Sequence, residues 1–573
     1  MTGISASQGR TRQGLYLAAL FLLALLPRLY SVQGLGWDWD HPGSFTLINF
    51  DEAGSCRAAL EGFDYSTFIG TQTTGIAHLL GVGPNPAIIG NDSAVKAYCH
   101  SAEHILIARY WSSFLGSLTV VLLALIALQL VPGQPGIAFT AGGLLALSGF
   151  HISHSQSGTV DAASVFFIYA FLALMVYSVR RRWRVGLWLS PLLLLPAVWT
   201  KYWVFAVFAY LALLPFVFWQ YISKGFTPQR ITALVLATAV LFGLVTNPDF
   251  QASGLWALLL LYYLFIPWQK IERPMIAFWL LVPLFAWGIT QVEIIASYTS
   301  SGQSGRFGGG YGAIGWNKWL RNLVNVPSVL IVGLGLPAFW FLLTGFRTIF
   351  RGEGDARAWL CLTPVLAFLL YMAFVSPVTY YRHYLPLLPA VALVSAVGLY
   401  SSSWASRRWF MVLFFLWPGL LAIDLISDYH RDPRIELRQW AIEHPQSRVF
   451  TSFYVSPPNS MARNSRLFQP EYAAGDATIL RQAQYLVLSE NWYDTAFANE
   501  LNGPLVNDLE RLIKTKPEYA TFYRQALAGE HRHLKLEQAM DLQHFMPELL
   551  LHRLWYGNFQ LFVGDLKVFR VVP

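Results

Sequence analysis

Charge is what this sequence has least of. Asp, Glu, Lys and Arg make up 13% of its 573 residues, against about 25% in an ordinary soluble chain. That deficit excludes a solvated globule with charge spread over its surface. Cysteine is nearly absent, with three residues in the whole chain, so a disulfide-built scaffold is excluded. No heptad pattern and no internal repeat is visible, which removes coiled coils and solenoids. The Gly-rich run 305–312 lacks the Lys-Ser/Thr ending of a phosphate-binding loop and reads as an external lid. Arg10 and Arg12 precede an apolar run from Leu15. No small-residue cleavage site follows, so the run reads as an uncleaved first helix rather than a removed leader.

What is present is apolar. Hydrophobic residues make up 55% of the chain and aromatics 16%, gathered into stretches near the roughly 18 residues that cross a bilayer core. The expected fold class is a polytopic α-helical membrane protein of about thirteen spans: 14–31, 104–131, 136–150, 161–179, 185–200, 202–219, 230–246, 252–268, 275–291, 326–345, 358–375, 384–400 and 409–426. The third and fifth are short for a bilayer, and a half-buried element is the alternative for each.

The basic residues orient these spans. Arg10, Arg12, Arg180, Arg181, Arg182, Arg184, Lys224, Arg230, Lys270, Arg273, Arg347, Arg351, Arg357, Arg407 and Arg408 fall on one side of the alternation, fifteen in all. The opposite connections, leaving aside the C-terminal region, hold Arg57, Lys96, Lys201, Arg306, Lys318, Arg321 and Arg382, seven over far more residues. This places the N-terminus in the cytoplasm and the C-terminus outside. The net charge of +8 therefore reflects membrane orientation and not nucleic-acid binding. The expected location is the inner or plasma membrane.

Three segments are then external: the loop 32–103, the loop 292–325, and residues 427–573. The last is long enough for a separate α/β domain, with strand-like runs at 448–455, 485–489 and 565–572 around helical stretches such as PEYATFYRQALAGE. The transmembrane domain is thus 1–426 and the soluble one 427–573. Cys56 and Cys99 share the first loop, in a compartment where a bridge persists. Two unpaired thiols are the alternative. Cys361 lies in an apolar run and reads as a packing residue.

Asp51 and Glu52, in LINFDEAGSCRAALEGFDY, open a predicted helix in the first external loop. Paired carboxylates there suit a general base or a cation site; favourable charge at a helix start is the plainer explanation. Asp161 stands at the lip of the fourth span, where an ionisable group defaults to function, with an N-cap as the alternative. Lys201, Arg382, Arg28 and Arg109 lie at or near the same membrane face. Such cations fit a phosphate-headed lipid whose tail stays in the bilayer; each snorkelling to bulk lipid is the competing view, especially for Arg28. His151 and His154, three apart and near Asp161, leave room for a metal ion.

The order of these features resembles a known family. An Arg near the end of the first span, a DE pair in the first external loop and EG within ten residues are similar to the polyprenyl-phosphate-sugar-dependent glycosyltransferases of the GT-C fold. The likeness is greatest to the group of protein O-mannosyltransferases and lipid A aminoarabinose transferases. ARYWSSFLGSLTVVLLALIAL, SHSQSGTVDAASVFFIYAFLAL, WTKYWVFAVFAYLALLP and YYRHYLPLLPAVALVSAVGL resemble the family's later motifs in order. The likeness covers most of 14–426, and the absence of a WWD-type motif argues against the oligosaccharyltransferase branch.

The resemblance implies that Asp51 is the catalytic base and Asp161 a second acid of the site, with Glu52 in support. It implies that Lys201, Arg382, Tyr384 and Arg109 serve the lipid-phosphate substrate. The implied partners are a polyprenyl-phosphate sugar and membrane lipids; protein, lipid and cell-wall glycan stay open as acceptors. No cofactor is required, although a divalent metal ion between the two acids remains compatible. The rival readings are a lipid or glycan transporter, which predicts paired repeats and charges near the bilayer midplane, and a catalytically silent scaffold.

Overall fold

The computed structural model describes most of residues 6–34, 47–201, 316–351, 361–374, 381–493, 519–542 and 564–573. The expected spans 202–219, 230–246, 252–268 and 275–291, the Gly-rich run 305–312 and most of the loop 292–325 lie outside the described residues.

The long apolar runs become long helices because a chain in lipid must satisfy its own backbone. Helix α1 is Ala6–Val32, α5 is Ala102–Leu130 and α8 is Asp161–Arg181. Short helices α2 (Gly54–Glu61), α3 (Thr67–Leu79) and α4 (Asp92–Cys99) fill the first loop. Caps are visible in the sequence. Asn91 accepts from the Ala94 amide to start α4, and Ser101 accepts from the His104 amide to start α5. Gly62, at φ 71°, ends α2 in the left-handed region.

Two expected spans are bent instead of straight. The third, 136–150, covers nearly all of α6 (Pro135–Ala146) and only the start of α7 (Gly149–Gln156), which meets α6 at 58°. Helix α7 carries His151, Ser153, His154, Ser155 and Gln156, all buried; a polar helix of this kind belongs inside the bundle and not against lipid. The expected span 326–345 is corrected more sharply. Residues 316–325, expected in a loop, are helical, and α11 (Trp316–Leu334) turns through 113° into α12 (Leu336–Phe350). The corner is Gly335, at φ 89° and ψ 157°, a conformation essentially restricted to glycine.

The fifth expected span, 185–200, is broken into α9 (Arg184–Leu189), a 3₁₀ turn and α10 (Leu194–Thr200). Helices α13 (Thr363–Phe374), α14 (Leu388–Tyr400) and α15 (Arg408–His430) complete the described bundle. Among the described residues, five helices are long and apolar enough to cross a bilayer, and the two bent pairs bring the number to seven.

The bundle core is drawn from helices distant in sequence, with Ala24, Leu123, Ala141, Phe171 and Leu393 in one cluster. Helices α12 and α14 touch through their backbones. A Cβ on Gly345 would overlap the Val394 carbonyl, and one on Gly398 the Phe341 carbonyl. Small residues permit this approach, which favours association of helices in lipid.

Beyond α15, α16 (Arg434–Glu443) leads into a mixed sheet, five-stranded among the described residues. Its strands are β1 (Val449–Thr451), β2 (Ser465–Leu467), β3 (Tyr485–Ser489), β4 (Leu534–Met540) and β5 (Leu566–Val571), in the order β2-β1-β3-β5-β4. The pairs β1–β2 and β1–β3 are parallel; β3–β5 and β5–β4 are antiparallel. Alternation along β3 sends Leu486 and Leu488 to one buried face and Val487 to the other.

Candidate active site

Asp51 and Glu52 occupy a single 3₁₀ turn, Phe50–Ala53, that feeds α2. Helix α2 is held from two sides. Cys56 is bridged to Cys99 at the end of α4, which settles the two open readings of these thiols in favour of a disulfide. Gly70 of α3 lies against the Ser55 carbonyl so closely that a Cβ would overlap it.

The two neighbouring acids have different surroundings. Glu52 is buried, and its carboxylate takes the guanidinium of Arg109 bidentately, at 2.8 Å from Nε and 2.9 Å from Nη2. The same carboxylate accepts from the Ile48 amide at 2.8 Å and from the Gly158 amide at 2.9 Å. Both side chains of this ion pair are 0% exposed, so the pair ties the first loop to α5 and to the α7–α8 connection. Asp51, one residue earlier, has a side chain 14% exposed and receives Arg382 Nη1 at 3.3 Å.

Asp161 is the first residue of α8 and is nearly closed to solvent. Thr159 Oγ1 donates to its Oδ2 at 3.2 Å, and Lys201 Nζ donates to its Oδ1. Lys201 remains 23% exposed. Its end of α10 is fastened by Ser66 Oγ, which donates to the Trp199 carbonyl at 2.8 Å. Arg382 sits in a 3₁₀ stretch, Tyr381–Leu387, just before α14. That stretch is tied to α8 by Tyr169, whose hydroxyl donates to the Pro386 carbonyl at 2.9 Å and accepts from the Ala390 amide at 3.0 Å. Tyr384 is fully buried in the bundle core.

Asp51, Asp161, Lys201 and Arg382 therefore form one electrostatic group, although 331 positions separate Asp51 from Arg382. Burial pushes the Asp51 carboxyl above the ordinary carboxylate range; Arg382 and then Lys201 oppose the rise, and Asp161 adds to it. A carboxylate with raised proton affinity beside two partly exposed cations is equipped to take a proton and to hold an anion.

Other expectations are revised. Arg28 does not snorkel: it is 0% exposed and turned into the bundle, donating to the Ala24 and Ala146 carbonyls, with Nη2 at 2.7 Å from His151 Nδ1. His151 thus meets a guanidinium. His154, buried in the same helix, lies in the field of Asp161, Arg382 and Lys201. Among the described residues, no group of three or more His, Cys, Asp or Glu side chains is gathered for a metal ion. Sequence reasoning missed Arg434 and Asp432, which form a buried pair beside the first loop, and Tyr169.

No protein family and no curated protein matches the chain. Solved structures do. The chain is similar to the Archaeoglobus fulgidus oligosaccharyltransferase determined with zinc and sulfate, at 11% identity over 97% of this chain and 88% of that one, with a TM-score of 0.49. It is also similar to ArnT from Cupriavidus metallidurans bound to undecaprenyl phosphate, at 12% identity over 87% of this chain and 96% of that one, with a TM-score of 0.46. The apo state of the same ArnT matches at 13% identity over 87% and 96%, with a TM-score of 0.42.

Proposed function

We propose that this chain is a membrane glycosyltransferase that moves a monosaccharide from a polyprenyl phosphate to an acceptor hydroxyl or amine with inversion. The observation that carries the reading is the meeting of Asp51–Arg382 with Asp161–Lys201, two ion pairs assembled from four distant parts of the chain, with Asp51, Lys201 and Arg382 partly exposed. The donor class rests on the motif resemblance together with these cations.

Asp51 takes the proton of the acceptor as the acceptor oxygen or nitrogen bonds to the anomeric carbon. The bond from that carbon to the phosphate oxygen breaks, and polyprenyl phosphate leaves. Lys201 and Arg382 stabilise the charge gathering on the departing phosphate, an electrostatic contribution that is often the largest in catalysis. A single inverting displacement requires one base and no covalent sugar–enzyme intermediate. Asp161 holds the Lys201 ammonium in place, and Glu52 with Arg109, closed to substrate, fixes the turn that presents Asp51. The Cys56–Cys99 bridge and the Lys/Arg asymmetry both favour a site on the extracytoplasmic face, with residues 427–573 as a separate domain there.

The test uses purified protein in lipid nanodiscs, undecaprenyl-phosphate mannose and undecaprenyl-phosphate aminoarabinose carrying labelled sugar, and envelope extract as acceptor. Label should leave the polyprenyl lipid with the native protein and stay on it with Asp51→Asn, while undecaprenyl phosphate still raises the unfolding temperature of that variant. Equal transfer by both proteins would remove Asp51 from the chemistry. Lipid movement across a bilayer without sugar transfer would favour a transporter.

A further inference from the structure

Arg434 begins α16, after the last apolar helix, in the polar stretch RDPRIELRQW. A side chain in such a setting is ordinarily solvated, yet this one is buried with 0% of its side chain exposed. Its Nε and Nη2 grip Asp432 at 2.9 and 3.0 Å. Its Nη1 reaches back across 387 positions to the Leu47 carbonyl at 3.0 Å, and to the Ile48 carbonyl at 3.1 Å. Those carbonyls precede Asp51 by four and three residues.

Ile48 is consequently held at both ends of its peptide units. Its N–H donates to Glu52 and its C=O accepts from Arg434. Glu52 is locked in turn by Arg109 and the Gly158 amide. The segment leading into Asp51 is clamped between the bundle and the chain that follows α15. A planar guanidinium is suited to this task, since its fork serves a carboxylate on one edge and two carbonyls on another.

We infer that Arg434, oriented by Asp432, is a positioning residue for Asp51, making the start of the C-terminal segment part of the active-site scaffold. The inference rests on the reading of Asp51 as the base for its effect on turnover, but the clamp itself has a readout independent of that reading. The bonds of Arg434 run to Asp432 and to the Leu47 and Ile48 carbonyls beside Asp51, so its loss should misplace the base while leaving donor binding in place. Misplacement of a reacting group by about 1 Å costs on the order of a hundredfold in rate.

The experiment compares the native full chain with Arg434→Lys and with the charge-neutral pair Arg434→Met/Asp432→Asn, which leaves no lone buried charge. Hydrogen exchange at residues 47–53 and the kcat and KM of sugar transfer from undecaprenyl-phosphate sugar are measured on the same nanodisc samples. Exchange at 47–53 should accelerate in both variants. The paired variant's kcat should fall about a hundredfold with KM for donor changed by less than about threefold, and Arg434→Lys should recover part of it. Native-like exchange at 47–53 in the paired variant would overturn the inference, whatever the activity. So would a loss of activity that tracks the unfolded fraction with no fall in kcat per folded molecule. If the native protein itself transfers no sugar, the glycosyltransferase reading fails, and exchange alone decides on Arg434.

Discussion

Replacing Glu52 tests how the turn that carries Asp51 is held. Its carboxylate faces the Arg109 guanidinium and two backbone amides, Ile48 and Gly158, with both ionic side chains closed to water. Glu52→Ala strands the Arg109 charge, a loss of about 3–5 kcal/mol for a broken buried pair. It also leaves two amides without that acceptor, at about 1–3 kcal/mol each. Even the lower ends of these ranges reach about 5 kcal/mol, comparable to the whole stability of a marginal protein. Glu52→Ala should therefore fail to accumulate in folded form. Glu52→Gln keeps one oxygen for an amide and loses the charge, so it should fold with a stability deficit of about 3–5 kcal/mol. Adding Arg109→Leu should restore part of that deficit, because the stranded cation is gone. Unfolding in mixed micelles, followed by tryptophan fluorescence, measures all three. A Glu52→Gln protein within about 1 kcal/mol of the native one would refute the assignment of Glu52 as a buried clamp.

The remaining predictions concern protonation, the bridge and the α8 tether. Because burial raises the Asp51 pKa above the usual carboxylate value, transfer activity should rise with pH along a limb above about pH 4. Arg382→Met, which removes the largest opposing influence, should move that limb to higher pH; a limb that stays put in a pH–rate profile refutes the pairing. The sign for stability is opposite: a raised folded-state pKa favours the folded protein below the unfolded value, and that contribution is lost as pH rises through the folded one. Cys56→Ser/Cys99→Ser opens a closure of 43 positions, worth roughly 4 kcal/mol by chain entropy, so thermal unfolding should occur at lower temperature, as it should for the native protein after reduction. Tyr169→Phe leaves the Pro386 carbonyl and Ala390 amide without the hydroxyl and should cost about 1–3 kcal/mol, read in the same unfolding assay.

Much of the bundle was legible because apolar run length is a strong signal. The helices Ala6–Val32, Asp161–Arg181 and Arg408–His430 each contain an expected span, and Ala102–Leu130 covers all but the last residue of 104–131. The 113° corner was not read, because a continuous apolar run hides a bend made by one glycine; GLGLP carries the available hint, a glycine with a proline two residues later. Asp51, Asp161, Lys201 and Arg382 stand out in the sequence as charges at a membrane boundary, and the structure brings them together. Arg28, buried in the bundle, fits neither open reading, lipid phosphate or snorkelling, because sequence shows depth in the membrane but not rotation about the helix axis. Arg434 carried no signal at all: an Arg in a polar stretch looks solvated until the distant carbonyls it serves are in view.

The glycine contacts between α12 and α14 bear on how the proposed lipid donor would gain entry. Where main chain rests on main chain, no side-chain rotamer exists to relax, and the two helices must travel as one piece. Arg382 lies just ahead of that fused unit, in a seven-residue 3₁₀ stretch fastened by Tyr169. On the proposed reading, an isoprenoid tail entering beside Arg382 meets α12 and α14 as one unit, so widening there hinges within Tyr381–Leu387 or swings the pair together.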